Sequence, residues 1–194
     1  PLESIVNFGS NVNPLGLSAT VKEQLIFNLD LACSTYPERD YKSLRSAIAA
    51  YCNVPMEHIV VGNGSTEMIS LVIEQVHPKK AMLLGPTYSE YSRELSFSGS
   101  TQEYYHLQEN NDFGPDIPDL CKKLTQGYDF LILCNPNNPT SSAISKEDLR
   151  KLISFCAEKN IFVMIDETYV EFAPDINAIT AVPLTQEFTN LMVL

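Results

Sequence analysis

The segment Ile161-Phe-Val-Met-Ile-Asp166-Glu-Thr-Tyr169 constrains the fold more than any other stretch of this chain. Five apolar residues, rich in β-branched and aromatic side chains, end abruptly in a carboxylate, and a phenol follows three residues later. A run that is apolar at every position has no solvent face, so it reads as a strand of a parallel sheet covered on both sides. Ligands of such sheets gather at the carboxyl ends of the strands, the place Asp166 would take. Taken alone, Asp166 has a simpler role as the cap of the following turn, a position Asp favours. Other segments of the chain bear on that choice.

Strand and helix patterns alternate along the sequence. A helix is predicted over residues 19–31 behind Ser18, and Asp40 is placed to cap a second helix with Leu44, Ala47, Ile48 and Tyr51 on one face. Residues 59–61 read as a short strand running into Gly62-Asn63-Gly64-Ser65, with an apolar helix over 66–76. A strand at 81–84 leads through Pro86-Thr87-Tyr88 to a helix ending near Phe97, and residues 101–106 form a further strand. Residues 108–118, polar and acidic with two prolines, read as a surface loop. A helix to about Gln126 precedes a strand at 130–134, the loop Asn135-Pro-Asn-Asn-Pro-Thr140 and a helix over 145–160. Ser145 with Asp148 resembles a capping box. One more strand begins at Leu191. This alternation predicts an α/β fold with a mostly parallel sheet flanked by helices on both faces.

Composition limits the partners. The 194 residues are 44% hydrophobic and 19% charged, ordinary for a globular chain, and the net charge is −11. Nucleic acid and anionic membranes both reward basic patches, so neither is expected as the main partner. Small anions remain within reach, because backbone N–H groups at a helix start bind them against the overall field. Cys33, Cys52, Cys121, Cys134 and Cys156 contain no C-x-x-C pair and read as reduced thiols; His58, His77 and His106 are isolated, and no metal site is expected. No long apolar run or leader pattern is seen, so a cytoplasmic protein is the default expectation.

Several predicted strand ends carry residues suited to one flat ligand. Gly62-Asn63-Gly64-Ser65-Thr66 offers backbone amides and hydroxyls at a helix start, a cradle for phosphate or else an ordinary tight turn. It matches neither the nucleoside triphosphate loop nor the dinucleotide fingerprint. Tyr88 stands where a ring would stack on a ligand or simply pack at a helix start. The Asn135 to Thr140 loop is stiffened by two prolines and presents asparagine amides, although such residues also build plain turns. With Asp166 and Tyr169, the set would suit a phosphorylated heterocycle with a basic ring nitrogen.

Six segments in order strengthen that reading: Asn11-Val-Asn-Pro-Leu-Gly16, Tyr36-Pro37, Gly62-Asn-Gly-Ser-Thr-Glu67, Pro86-Thr-Tyr-Ser-Glu-Tyr91, Asn135-Pro-Asn-Asn-Pro-Thr140 and Asp166-Glu-Thr-Tyr169. With them the chain resembles the large domain of the fold-type I enzymes (class I/II aminotransferases) that depend on pyridoxal phosphate. Within these it is similar to the histidinol-phosphate aminotransferase and threonine-phosphate decarboxylase branch. The resemblance implies that Asp166 pairs with the protonated pyridine nitrogen and that Asn138 and Tyr169 bond the ring's phenolic oxygen. It implies that Tyr88 stacks on the ring and that Gly64, Ser65 and Thr66 hold the phosphate. It also implies a homodimer in which Tyr36 reaches the neighbouring subunit's cofactor, and an amino-terminal segment with Asn13, Leu15 and Gly16 that closes over substrate.

Two departures stand out. Ser141 occupies the position where the family has glycine, which bears on the turn but leaves Asn138 in place. The Schiff-base lysine is missing, since no lysine follows Lys159, and Lys79, Lys80 and Lys159 fall far from the expected ligand edge. The expectation is therefore an amino-terminal segment and helix over 1–30, an incomplete cofactor-binding domain over 31–194, and no small carboxy-terminal domain. The resemblance implies amino-group transfer between a small-molecule donor, an amino acid or an amino phosphate such as histidinol phosphate, and a 2-oxo acid. Its alternatives are decarboxylation of a phosphorylated hydroxy-amino acid and a cofactor-binding domain without turnover.

Overall fold

Five of the six expected strands form, and all run parallel. They are β1 (Lys80–Gly85), β2 (Thr101–His106), β3 (Phe130–Cys134), β4 (Phe162–Asp166) and β5 (Leu191–Val193), in the sheet order β2-β1-β3-β4-β5. The computed structural model describes residues 11–194, and the first ten residues of the expected amino-terminal segment lie outside them. The chain divides into two compact units, Pro1–Lys42 and Ser43–Leu194. The first holds α1 (Ala19–Phe27) and α2 (Leu29–Ser34); the second holds the sheet with α3 (Lys42–Cys52), α4 (Gly64–Val76), α5 (Ser89–Ser98), α6 (Ile117–Leu124) and α7 (Lys146–Glu158).

The period-two rule of strands explains why every central strand is apolar throughout. Leu131 and Leu133 of β3, with Val163 and Ile165 of β4, face a core closed by Leu120 and Leu124 of α6 and by Leu149, Leu152, Ile153 and Cys156 of α7. Their neighbours Phe130, Ile132 and Met164 face the opposite core, closed by Ile69, Val72 and Ile73 of α4 and by Tyr91 and Leu95 of α5. The layers are thus helix, sheet and helix. The β1-to-β2 crossover runs outward with α5 on one face. The β2-to-β3 crossover runs back with α6 on the other face, so both keep the same hand, as a twisted parallel sheet demands.

Local signals placed most helix ends. Ser18 accepts from the Val21 N–H, and Ser145 accepts from the Asp148 N–H at 3.1 Å. The Asp148 carboxylate returns to the Ser145 hydroxyl at 2.9 Å rather than to its backbone, a variant of the capping box. The predicted loop over 108–118 contains a 3-10 turn at Glu109–Asn111 and the start of α6, capped by Asp116 through the Asp119 N–H.

Three expectations are corrected. The predicted helix over 19–31 is two helices, because Asn28 turns its amide back onto the Gln24 carbonyl at 2.8 Å and ends the first. Asp40 does not cap α3, which opens at Lys42 after Tyr41 in the left-handed region (φ 48°). On α3 the inward stripe is Arg45, Ile48, Ala49 and Cys52, while Leu44, Ala47 and Tyr51 are exposed. Finally, residues 59–61 form no strand. Ile59 has strand-like dihedrals, yet no ladder partner lies beside it among the described residues, and Val60 is 65% exposed. A strand needs a partner as well as a propensity.

Candidate active site

Sheet order decides where a ligand sits. The chain leaves β1 in one direction and enters β3 on the other side, so the loops above these neighbouring strands part and open a crevice at their carboxyl ends. A cavity of about 100 Å³ occupies it. Ser65, Tyr88, Asn138, Asp166 and Tyr169, all named from the sequence, line it together with Tyr91, Cys134 and Thr168.

Each element delivers its residue for a local reason. Gly64 opens α4 in the left-handed region (φ 84°), which glycine adopts without steric cost. Ser65 is the next residue, and the Asn63 side chain makes no cap bond, so it does not occupy the helix amides. Gly62 leaves room for Glu67 to fold back, since a Cβ there would lie 2.6 Å from its Oε2, and that carboxylate accepts from the Asn63 N–H at 2.6 Å. Thr66 is exposed in the same turn and does not line the cavity, nor does Gly64.

The loops after β1 and β3 are clipped together by Asn137. Its Oδ1 accepts from the Thr87 hydroxyl at 2.9 Å, and its Nδ2 donates to the Pro86 carbonyl at 2.9 Å and to Thr140 Oγ1 at 2.8 Å. Tyr88 and Asn138 are therefore positioned by one buried amide. Asn135 anchors the start of the same loop, accepting from the Ile144 N–H at 2.7 Å and donating to the Ile179 carbonyl at 3.0 Å. Ser141, the departure from the family's glycine, keeps the left-handed turn (φ 57°) with its N–H on the Asn137 carbonyl.

Asp166 ends β4, and the parallel register sets it beside Cys134. It is 3% exposed. Its Oδ1 accepts from the Thr168 N–H at 2.9 Å and the Thr168 hydroxyl at 2.6 Å, and its Oδ2 accepts from the Tyr91 hydroxyl at 2.8 Å. All three are neutral donors, and among the described residues no Lys, Arg or His forms an ion pair with it. An ionised carboxylate accepts about four hydrogen bonds. One acceptor position remains for a cationic donor in the cavity. The turn capping suggested by the sequence is made through Oδ1, and Asp166 also lines the cavity.

The neighbouring Glu167 faces away from the cavity and is 5% exposed. It accepts from the Thr180 hydroxyl at 2.7 Å and the Ala181 N–H at 2.5 Å, which ties the strand end to the returning segment. Burial pushes its carboxyl up to about 7, with the Glu171 and Asp166 charges adding to the rise against the two hydrogen bonds. Burial likewise raises the Cys134 thiol, which donates to the Pro136 carbonyl at 3.2 Å.

The site residues overlooked in the sequence were not without signal. Tyr91 stands one helical turn beyond Tyr88 and so shares its face of α5. Thr168 sits two residues after a strand-end Asp, the spacing of a local turn bond. Asn13, Leu15, Gly16 and Tyr36 belong to the amino-terminal unit. There Asn13 Oδ1 accepts from the Leu15 N–H at 2.9 Å, Gly16 is left-handed (φ 68°), and Tyr36 is 98% exposed. Lys80 starts β1 at the opposite end of the sheet, where it pairs with Glu103 at 2.9 Å, and Lys159 caps the end of α7. No lysine lines the cavity among the described residues.

Comparison with known proteins agrees with this arrangement. The profile of the family described as aminotransferase class I and II matches residues 3–194. The threonine-phosphate decarboxylase of Salmonella typhimurium is 36% identical over 173 residues, covering 89% of this chain and 47% of that protein. The histidinol-phosphate aminotransferase of Methanococcoides burtonii is 34% identical over 173 residues, 88% of this chain and 46% of its own length. The crystal structure of the histidinol-phosphate aminotransferase from Clostridium acetobutylicum superposes with a TM-score of 0.85 at 27% identity, covering 97% of this chain and 54% of the other. The chain spans about half the length of the curated relatives it matches. By its fold and by the match of its residues 3–194 to the family profile, this chain belongs to the class I and II aminotransferases.

Proposed function

We propose that the protein of which this chain is part binds pyridoxal phosphate at the crevice above β1, β3 and β4. There it transfers an amino group between an amino acid or amino phosphate, such as histidinol phosphate, and a 2-oxo acid. The observation that carries this reading is the buried Asp166 carboxylate, held by three neutral donors, with an acceptor position left for a cation. A pyridinium N–H would fill that position. The cofactor, when bound, supplies an electron-withdrawing ring that stores the charge developed at the substrate Cα.

The roles of the side chains follow from their places. Asp166 would keep the ring nitrogen protonated, because a desolvated anion favours a cation beside it far more than water does. Asn138 and Tyr169 would orient the ring through its phenolic oxygen, and Tyr88 would cover one ring face and exclude water. The free amides of the first turn of α4, at Gly64, Ser65 and Thr66, would hold the phosphate, aided by the positive end of the helix dipole. We extend the reading to a cytoplasmic homodimer in which Tyr36 reaches the partner's phosphate site, with Asn13, Leu15 and Gly16 over the substrate. Among the described residues no helix is long and apolar enough to cross a membrane.

The test is full-length protein saturated with pyridoxal phosphate and supplied with histidinol phosphate and 2-oxoglutarate. Appearance of glutamate is expected; no amino transfer from a panel of amino acids and amino phosphates would refute the reading. The second reading, decarboxylation of threonine phosphate, is favoured by the 36% identity to the Salmonella typhimurium protein. Release of carbon dioxide from threonine phosphate without a 2-oxo acid would select it.

A further inference from the structure

Tyr91 touches both sides of the site without having been assigned a part in it. Its ring is 0% exposed within the core formed by Ile69, Leu95, Phe130 and Met164. That ring meets Tyr88 in a T-shaped contact with centroids 5.6 Å apart and planes at 81°, the arrangement in which one ring's positive edge faces the other's negative face. Its hydroxyl donates to Asp166 Oδ2 at 2.8 Å, the oxygen with the acceptor position still open.

From this geometry we infer that Tyr91 is a positioning residue that fixes the proton between Asp166 and the pyridine nitrogen of the cofactor while bracing Tyr88. The inference rests on the proposed binding of pyridoxal phosphate. A hydroxyl donated to Oδ2 stabilises negative charge on that oxygen. The shared proton then stays on the ring nitrogen. Burial and the Asp166 charge push the Tyr91 phenol far above its ordinary range, so it remains a donor at every working pH. The Thr168 hydroxyl and N–H act on Oδ1, the other oxygen, and so do not replace it. Tyr88, Tyr169 and Cys134 also line the cavity, and burial raises the Cys134 thiol beside Tyr91 so that it stays neutral.

The experiment uses full-length protein loaded with pyridoxal phosphate labelled with ¹⁵N in the ring, read by ¹⁵N NMR. Wild type is compared with Tyr91→Phe, which removes the hydroxyl but keeps the ring against Tyr88. It is also compared with protein carrying a fluorinated tyrosine at position 91, a stronger donor of the same shape. A charge-assisted hydrogen bond at this oxygen corresponds to about a tenfold change in the partition of the proton. The ring-nitrogen resonance should therefore move toward unprotonated pyridine in the Phe protein and the opposite way in the fluorinated one. If the Phe protein fails to fold, the fluorinated protein still decides the question. Resonances that stay at the wild-type position would overturn the inference and leave cofactor binding intact. Wild-type protein that takes up no labelled cofactor would overturn the proposed function itself.

Discussion

Replacing Glu167 with Gln isolates the energetics of one buried carboxyl. In the folded protein burial lifts this group from its ordinary 4.5 to about 7. Between those values the native state holds a proton that the unfolded chain has lost, so stability falls as pH rises through that window. It is full below about pH 4 and reduced above the folded value. The displacement from 4.5 to about 7 corresponds to about 3 kcal/mol. Gln mimics the protonated form. Its Oε1 keeps the Ala181 N–H, and its amide donates to Thr180 Oγ1 once that hydroxyl turns. The oxygen already accepts from the Val182 N–H at 3.2 Å and has a second lone pair. The assay is urea unfolding of full-length wild type and Glu167→Gln in parallel between about pH 4 and about pH 8, where other titrations cancel in the difference. The two should match at the acidic end, and the Gln protein should gain about 3 kcal/mol over wild type by the alkaline end. A difference that stays constant with pH would refute the argument.

Two further predictions concern the loop after β3. Asn137→Ala removes the amide that joins Pro86, Thr87 and Thr140, leaving buried polar atoms without partners, and should cost about 2 kcal/mol. Because the same amide positions Tyr88 and Asn138, pyridoxal phosphate affinity should weaken in a fluorescence titration; unchanged affinity would remove Asn137 from the positioning scheme. Ser141→Gly relieves a left-handed residue and should raise stability by about 1 kcal/mol after the entropy of glycine is subtracted. A fall in the melting temperature would show that the Ser141 hydroxyl, which donates to the Thr140 carbonyl, outweighs the backbone strain.

Local and periodic features were legible in the sequence because their causes lie within a few residues. Ser18 and Ser145 cap helices through bonds to N–H groups three residues on. The strand ending at Asp166 is apolar at every position because helices cover both of its faces, and that pattern needs no knowledge of which helices. The strand-end motifs marked five of the eight cavity residues for the same reason: turn chemistry and chemical function are both written in short segments. What depended on distant chain was decided by the tertiary structure alone. Residues 59–61 carry strand propensity but have no strand partner among the described residues. The buried face of α3 follows what it packs against, not the apolar tally of Leu44, Ala47, Ile48 and Tyr51. The Tyr91 hydroxyl meets Asp166 across 75 residues, and Glu167 meets Ala181 across 14, so both the donor on Oδ2 and the raised carboxyl arise only when separate segments close on each other. The sequence therefore determined that Asp166 stands at the carboxyl end of its strand, and the packed fold determined what surrounds its side chain, because burial and hydrogen bonding depend on neighbours in space.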